Sequence, residues 1–146
     1  MWSIKAFDDL TVKELHAIYR ERVAVFVVEQ TCPYPEVDDL DLRSLHIFKM
    51  EAGQIQAYAR LIIEPTKVAI GRVLVQQSQR GTGLGDELLK RSLDYILTEH
   101  PDKKIELAAQ TYIQSFYEKH GFQSVGESFL EDDIPHIQMV YVRKPH

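Results

Sequence analysis

The sequence predicts one domain of the α+β class (mixed α/β), with helices packed on a mostly antiparallel sheet. Its 146 residues suit a single domain with one sizeable core, and 45% hydrophobic and 27% charged residues are ordinary values for a globular protein. Apolar residues alternate along some segments and recur at helical spacing along others. The resulting element order, β-α-β-β-β-α-β-α-β-β, is typical of this fold class.

The first half of the chain predicts four strands and one helix. Residues 2–7 alternate as a first strand. Thr11 and Glu14 form a capping box, which predicts the start of a helix of roughly four turns. Its apolar residues at helical spacing are Leu15, Ile18, Tyr19, Val23 and Phe26. Three further strands are predicted at residues 45–50, 54–63 and 68–75.

Residues 28–43 are predicted to form a loop that is long for a compact domain. Pro33 and Pro35 interrupt the helical pattern there. The acidic residues of this loop are Glu36, Asp38, Asp39 and Asp41. Long loops are often functional, and these acids are compatible with a cationic acceptor. The interpretation we favour is a solvated loop, and the same holds for residues 131–133.

The second half of the chain predicts two helices and three strands. A helix spans about residues 83–98, and a short helix at residues 112–120 ends at Gly121, which suits a left-handed cap. The inward residues of the longer helix are Leu84, Leu88, Leu89, Leu93 and Ile96. The strands are predicted at residues 104–109, 122–125 and 137–142.

Charge and cysteine content limit the classes of function. The chain has 17 Lys and Arg against 22 Asp and Glu, a net charge of −5, which argues against nucleic acid or an anionic membrane as the main partner. The single Cys32 rules out an intramolecular disulfide and fits a reducing compartment. No signal peptide or membrane-spanning run is evident, so we expect a cytoplasmic protein. No metal-ligand spacing is evident either, so no metal is expected.

The segment from Val73 to Asp86 is the most informative part of the chain. A strand ending at Val75 is followed by a short polar loop and by Arg80-Gly81-Thr82-Gly83-Leu84-Gly85 at the start of a helix. Unpaired amides and the helix dipole suit a phosphate or pyrophosphate there, and Arg80 adds a cation. Asp86 excludes a P-loop, and the glycine spacing argues against a dinucleotide-binding turn. On spacing alone, a structural turn without a ligand stays an alternative.

This glycine segment matches the R/Q-x-x-G-x-G/A signature and, with the element order, resembles the GCN5-related N-acetyltransferase (GNAT) family over nearly the whole chain. Residues 22–30, 109–110, 116–117, 121–122 and 134–137 together resemble the ElaA subfamily. The resemblance implies a central twisted sheet of about six to seven strands with helices on both faces. It also implies acetyl-CoA as co-substrate. The amides of Arg80 to Gly85 would then cradle its pyrophosphate, and backbone groups of Val73 and Val75 would bind the pantetheine and the acetyl carbonyl.

Phe116-Tyr117-Glu118-Lys119-His120-Gly121-Phe122 resembles the second motif of this family, F/L-Y-x-x-x-G-F. The resemblance implies that the Tyr117 hydroxyl protonates the departing thiolate, because a leaving thiolate needs a positioned acid. The helical spacing of Tyr117 equally fits a core aromatic residue with a satisfied hydroxyl. Many members of the family use an Asn near the end of the preceding strand for a cofactor contact, and Gln110 is the nearest polar residue here.

The acceptor amine has to be neutral for attack and then loses a proton, which a carboxylate or histidine can take. Glu29 is the first candidate, because it follows an apolar run that could raise its pKa; a surface carboxylate or a helix-end cap is the alternative. His136, at the start of the last strand, is the second candidate, with a structural role as its alternative. His46 is expected to be a satisfied core residue, and Cys32 a lining residue rather than a nucleophile.

Together these features predict an enzyme that transfers an acetyl group from acetyl-CoA to a primary amine of a small-molecule or peptide acceptor by direct attack. One alternative is a binding module of the same fold that holds acyl-CoA without transfer. Another is the transfer of a different acyl group. The fold also allows a homodimer through pairing or exchange of edge strands, although nothing in the sequence requires one.

Overall fold

A seven-stranded sheet organises the chain, in a computed structural model that describes residues 1–143. The strands are β1 (Trp2–Ala6), β2 (Ser44–Glu51), β3 (Gln54–Ile63), β4 (Lys67–Val75), β5 (Lys104–Gln110), β6 (Phe122–Glu131) and β7 (Ile134–Tyr141). Their order in the sheet is β1-β2-β3-β4-β5-β7-β6. Only β4 and β5 are parallel. The predicted class and the mostly antiparallel sheet are therefore confirmed.

Helices pack on both faces of the sheet. They are α1 (Val12–Arg22), α2 (Leu84–Glu99) and α3 (Gln114–Lys119). On β3, Tyr58 packs in one core cluster with Ile18 of α1, whereas Ala57 and Ala59 pack in the other with Leu88 of α2. This division follows from the alternation of side chains along a strand. Within residues 1–143 no helix is long and apolar enough to cross a membrane.

The first helix begins as predicted but changes its winding. The Thr11 hydroxyl accepts from the Glu14 amide, and the Glu14 carboxylate accepts from the Thr11 amide, so the capping box is present. After Arg22 the chain continues as a π-helix over Val23–Glu29 instead of the predicted regular helix. Four of its seven residues are valine, whose stiff branched side chains lower α-helix propensity. Such wide turns are frequent at functional sites.

The parallel strands β4 and β5 separate after a short pairing. Only Lys67, Val68 and Ala69 pair with β5, whereas β4 continues to Val75. A register shift between β3 and β4 accompanies Arg72, whose φ of 52° lies in the left-handed region. This irregularity is a β-bulge, which bends a strand and re-aims its backbone groups. The diverging strands leave a cleft in the sheet.

The last two strands form a longer hairpin than the sequence predicted. β6 extends to Glu131 and β7 starts at Ile134, so only two residues separate them. These are Asp132 and Asp133, with φ values of 50° and 64°, a conformation that aspartate tolerates better than most residues. The predicted solvated segment 131–133 is thus an exposed hairpin turn.

Candidate active site

A cavity of about 640 Å³ occupies the cleft between β4 and β5. The π-helical segment and the loop after it form one wall, and α3 and the β6–β7 turn form another. The predicted site residues that line it are Glu29, Val73, Val75, Arg80, Gly85, Gln110, Tyr117 and His136. Residues 81–84 do not line the cavity, because they form the turn that leads into α2. Residues that are far apart in the sequence, from Val25 to Gln138, therefore line the same cavity.

The backbone of Val75 faces the cleft. The Gln76 amide donates to the Gln56 carbonyl of β3 at 2.8 Å, and Val75 lies opposite Ala57. Because hydrogen-bonding direction alternates along an antiparallel strand, the Val75 N–H and C=O point away from β3. By the same alternation from Leu74, we expect the backbone groups of Val73 to share this direction. These are the backbone groups that the sequence assigned to the donor.

The glycine turn presents the start of α2. Gly81 and Gly83 have φ values of 81° and 84°, which a residue with a side chain adopts at a cost. Gly83 is the N-cap and has no side chain to accept from the first helical amides. The first regular helical bond joins the Glu87 amide to the Gly83 carbonyl, so the amides of residues 84–86 remain available. This arrangement suits an anion.

Arg80 joins the glycine turn to the opposite wall. Its Nη1 and Nη2 donate to the two carboxylate oxygens of Glu29 at 2.8 and 3.0 Å, and its Nε donates to the Val75 carbonyl at 3.1 Å. The hydrogen bonds that Arg80 donates to Glu29 raise the pKa of Arg80. Glu29 thus lies beside a cation rather than on the purely apolar surface that the sequence suggested.

Gln110 also contacts the opposite wall. Its amide exchanges two hydrogen bonds with Gln30, at 3.1 and 3.3 Å, between the end of β5 and the end of the π-helical segment. The sequence placed Gln110 at a cofactor contact and did not single out Gln30. Two consecutive residues at the end of the π-helix therefore contact opposite sides of the cleft. Glu29 contacts Arg80, which follows β4, and Gln30 contacts Gln110 at the end of β5.

Tyr117 lies on α3. Its side chain packs in the core and also lines the cavity. It is 5% exposed and contacts Phe116 and Phe122 edge to face. Within residues 1–143 its hydroxyl has no hydrogen-bond partner, although it is not among the fully enclosed unpaired atoms. Burial raises the pKa of Tyr117, so the hydroxyl keeps its proton at neutral pH. The burial of the ring fits a core aromatic residue, and the role of the hydroxyl stays a prediction.

His136 lies on β7, 8% exposed, with its ring stacked on Phe129. Its Nδ1 is 2.7 Å from the Ile134 carbonyl, which can only accept, so Nδ1 carries a proton. In the neutral ring Nε2 then has a lone pair and can take a proton. Glu131 lies 3.5 Å from this nitrogen.

The expectation of a solvated acidic loop was wrong for Glu36 and Asp41, whereas Asp39 is exposed. Glu36 is 4% exposed and Asp41 is 1% exposed. Arg22 donates to Asp41 at 2.7 Å and to the Glu36 carboxylate at 3.3 Å. Burial lowers the pKa of Arg22. The hydrogen bond to Asp41 and the neighbouring negative charges together raise the pKa by more than burial lowers it, so the net shift is upward. These acids therefore neutralise arginines inside the fold.

Two further arginines complete this network. Arg60 of β3 donates to Asp38 at 2.7 Å and to Asp41 at 3.1 Å. Arg72, the residue at the bulge, donates from Nε to Glu36 at 2.6 Å and also lines the cavity. Arg72 belongs to none of the sequence motifs considered above. An isolated glycine inside a strand, here Gly71, is the local signal that indicates a bulge.

The other singled-out residues lie as expected. His46 is fully buried, and its ring nitrogens contact the Tyr58 hydroxyl at 2.6 Å and the Asp41 carbonyl at 3.0 Å. Cys32 lines the cavity, and its thiol donates to the Asp132 carbonyl at 3.3 Å. Burial raises the pKa of this thiol, which makes it a poor nucleophile. Among residues 1–143, no group of three or more His, Cys, Asp or Glu side chains is placed to hold a metal ion.

Acyl-CoA-dependent acyltransferases share a fold with two features. Their sheet separates between two parallel strands, and a glycine turn lies beside this separation at the start of a helix. Residues 14–143 match the model of the acetyltransferase (GNAT) domain, and the chain belongs to this family. A crystal structure of an acyl-CoA N-acyltransferase from Pseudomonas aeruginosa is 43% identical, with a TM-score of 0.91 over 97% of this chain and 99% of that chain.

The resemblance to the ElaA subfamily is also confirmed. The crystal structure of Escherichia coli ElaA has a TM-score of 0.93 and 39% identity, over 97% of this chain and 99% of that chain. A UPF0039 protein of Schizosaccharomyces pombe is 44% identical over 138 residues, which are 92% of each chain. Membership of the family supports acyl-CoA-dependent acyltransferase activity and leaves the acceptor open.

Proposed function

We propose that this protein transfers an acetyl group from acetyl-CoA to a primary amine of a small-molecule or peptide acceptor by direct attack. The observation that carries the proposal is one cavity lined by the edge of β4 at Val75, by Tyr117 and by His136. Carbonyl polarisation, an acid and a base are the functions that this reaction needs.

The residues present fit an acyl-CoA donor. The amides at the start of α2 and the Arg80 guanidinium can hold a pyrophosphate, and the separated strands give the pantetheine an edge with which to pair. Solved structures with the same fold hold such ligands: an acyl-homoserine lactone synthase with isopentyl-CoA and an aminoglycoside 6′-N-acetyltransferase with coenzyme A. Their identities of 17% and 15% support the fold only.

The chain's own groups have distinct roles in this proposal. The Val75 N–H donates to the acetyl carbonyl oxygen as negative charge develops there, and the fixed edge of β4 orients that carbonyl. The amine nitrogen bonds to the carbonyl carbon, and the carbon–sulfur bond breaks. The electron pair goes to sulfur, which takes the proton of Tyr117.

The proton lost by the amine goes to Glu29 or to Nε2 of His136, directly or through water. The hydrogen bond from Nδ1 to Ile134 fixes the histidine ring for this role. The acceptor side carries acidic residues at the β6–β7 turn, Glu131 and Asp132, which line the cavity. An amine acceptor is compatible with this charge.

The test combines binding with turnover. Calorimetry should show binding of coenzyme A, and thiol release should occur with at least one amine from a panel of polyamines, amino sugars, aminoglycosides and peptide N-termini. Tyr117→Phe should lower kcat about 10²–10⁴-fold with coenzyme A binding unchanged. Tyr95→Phe on α2, outside the cavity, is the matched control.

Three outcomes would contradict parts of the proposal. Absence of coenzyme A binding would contradict the donor site. Binding without thiol release across the amine panel would instead support a module that holds acyl-CoA without transfer. Full turnover by Tyr117→Phe at every pH would remove the assigned role of its hydroxyl.

A further inference from the structure

Arg80 bridges the two sides of the cleft. Its Nη1–Nη2 edge holds both carboxylate oxygens of Glu29, and its Nε donates to the carbonyl of Val75. A guanidinium binds an anion with two parallel bonds along one of these edges. With Glu29 on one edge and Val75 on the other, neither edge of Arg80 can bind a pyrophosphate in that way.

We propose that Arg80 exchanges Glu29 for the donor's pyrophosphate, so that donor binding delivers the Glu29 carboxylate to the acceptor side of the cavity. The inference rests on the proposed function, since it takes an acyl-CoA donor as given. It makes Glu29 a residue that couples the two substrates. The donor would then have to bind before the acceptor amine meets its carboxylate.

The strength of the contact fits an exchange. The Arg80 and Glu29 side chains are 41% and 38% exposed, and an ion pair at that exposure shifts an equilibrium by about two- to fivefold. A pyrophosphate brings more charge than one carboxylate and gains the helix amides as well. The pyrophosphate is therefore expected to displace Glu29 from Arg80. The competition from Glu29 still weakens donor binding by a measurable factor.

The direction in which Glu29 moves follows from charge and from its neighbour. A pyrophosphate at the glycine turn repels the carboxylate. The amide pair of Gln30 and Gln110 is neutral and is not disturbed by that anion, so it holds the π-helical wall in place. Glu29 lines the cavity itself, so a rotation of its side chain suffices to expose the carboxylate to the acceptor.

The test measures coenzyme A affinity by calorimetry for the wild type and for Glu29→Gln, in a buffer of fixed ionic strength. Loss of the competing carboxylate should tighten binding by about two- to fivefold. Arg80→Ala should weaken binding. In the Arg80→Ala background, Glu29→Gln should tighten binding less than it does in the wild type, because only the repulsion between the carboxylate and the pyrophosphate is then removed.

Glu21→Gln is the matched control, since Glu21 carries the same charge near Arg80 without a hydrogen bond to it. Its effect on affinity should stay below that of Glu29→Gln. If wild type and Glu29→Gln bind coenzyme A equally, or the variant binds more weakly, the exchange is overturned and the proposed function stands. If neither protein binds coenzyme A, the proposed function itself fails, and the exchange fails with it.

Discussion

Asp41→Asn tests whether the buried arginine–carboxylate network stabilises the fold. Asp41 is 1% exposed, and its Oδ1 accepts from Arg22 at 2.7 Å and from Arg60 at 3.1 Å. The network balances three arginines against three carboxylates, and the substitution leaves it one negative charge short, although Arg22 keeps Glu36 and Arg60 keeps Asp38. It also puts an amide donor where Oδ2 has no hydrogen-bond partner among the described residues.

Breaking a buried ion pair by changing one member costs about 3–5 kcal/mol. The entropy of unfolding, about 2.1 cal/mol/K per residue, gives roughly 0.3 kcal/mol/K for a chain of 146 residues. Tm should therefore fall by roughly 10–16 °C. Thermal denaturation followed by circular dichroism measures this shift, and urea denaturation at 25 °C gives the free energy of unfolding independently.

Asp39→Asn is the matched control, because Asp39 is an exposed residue of the same acidic loop and undergoes the same charge change. Its Tm should change by no more than about 2 °C. Removal of both charges in Arg22→Met/Asp41→Asn should restore part of the stability lost by Asp41→Asn alone. A similar Tm for Asp41→Asn and Asp39→Asn would refute the argument that buried charge balance holds this loop.

Three further predictions concern stability. Thr11→Ala removes one bond of the capping box and should cost about 1 kcal/mol, or roughly 3 °C in Tm. Gly121→Ala should cost more, because φ there is 95° and a Cβ would lie 2.9 Å from the Tyr141 ring; a Tm equal to that of the wild type would contradict this. Burial raises the pKa of Asp38. The hydrogen bond from Arg60 and the neighbouring positive charges together lower the pKa by more than burial raises it, so the pKa lies below its usual value. The contribution of Asp38 to stability is thus present above about pH 4 and lost as pH falls further, and the Tm difference between wild type and Asp38→Asn should shrink there.

Local patterns were sufficient for most element bounds. Strand β3 occupies Gln54–Ile63, as its alternation and the turn before it predicted. The π-helix was missed because the run of residues 23–28 is apolar at every position, so its periodicity carries no information. Tertiary packing determines the conformation of this segment, where Val25 is buried in the cluster that contains Phe48 and Tyr58.

The site was predictable where a motif carried it and not where charges pair over long distances. Glu29, Tyr117 and His136 do line one cavity, as their placement in the family motifs suggested, although their chemical roles stay predictions. The partners of Glu36, by contrast, lie 14 and 36 residues away in the chain, at Arg22 and Arg72. No local pattern shows that a carboxylate in a loop of acids will be buried against an arginine in another element.

The network also connects the acidic loop to the chemistry. Glu36 binds Arg72 at the bulge of β4, directly before Val73. An acid of the loop that the sequence found compatible with a cationic acceptor is thus paired with the strand proposed to hold the donor. Glu36→Gln should consequently disturb donor affinity as well as stability. Coenzyme A titrations well below the Tm of the variant separate these effects, and an unchanged affinity would limit Glu36 to stabilising the loop.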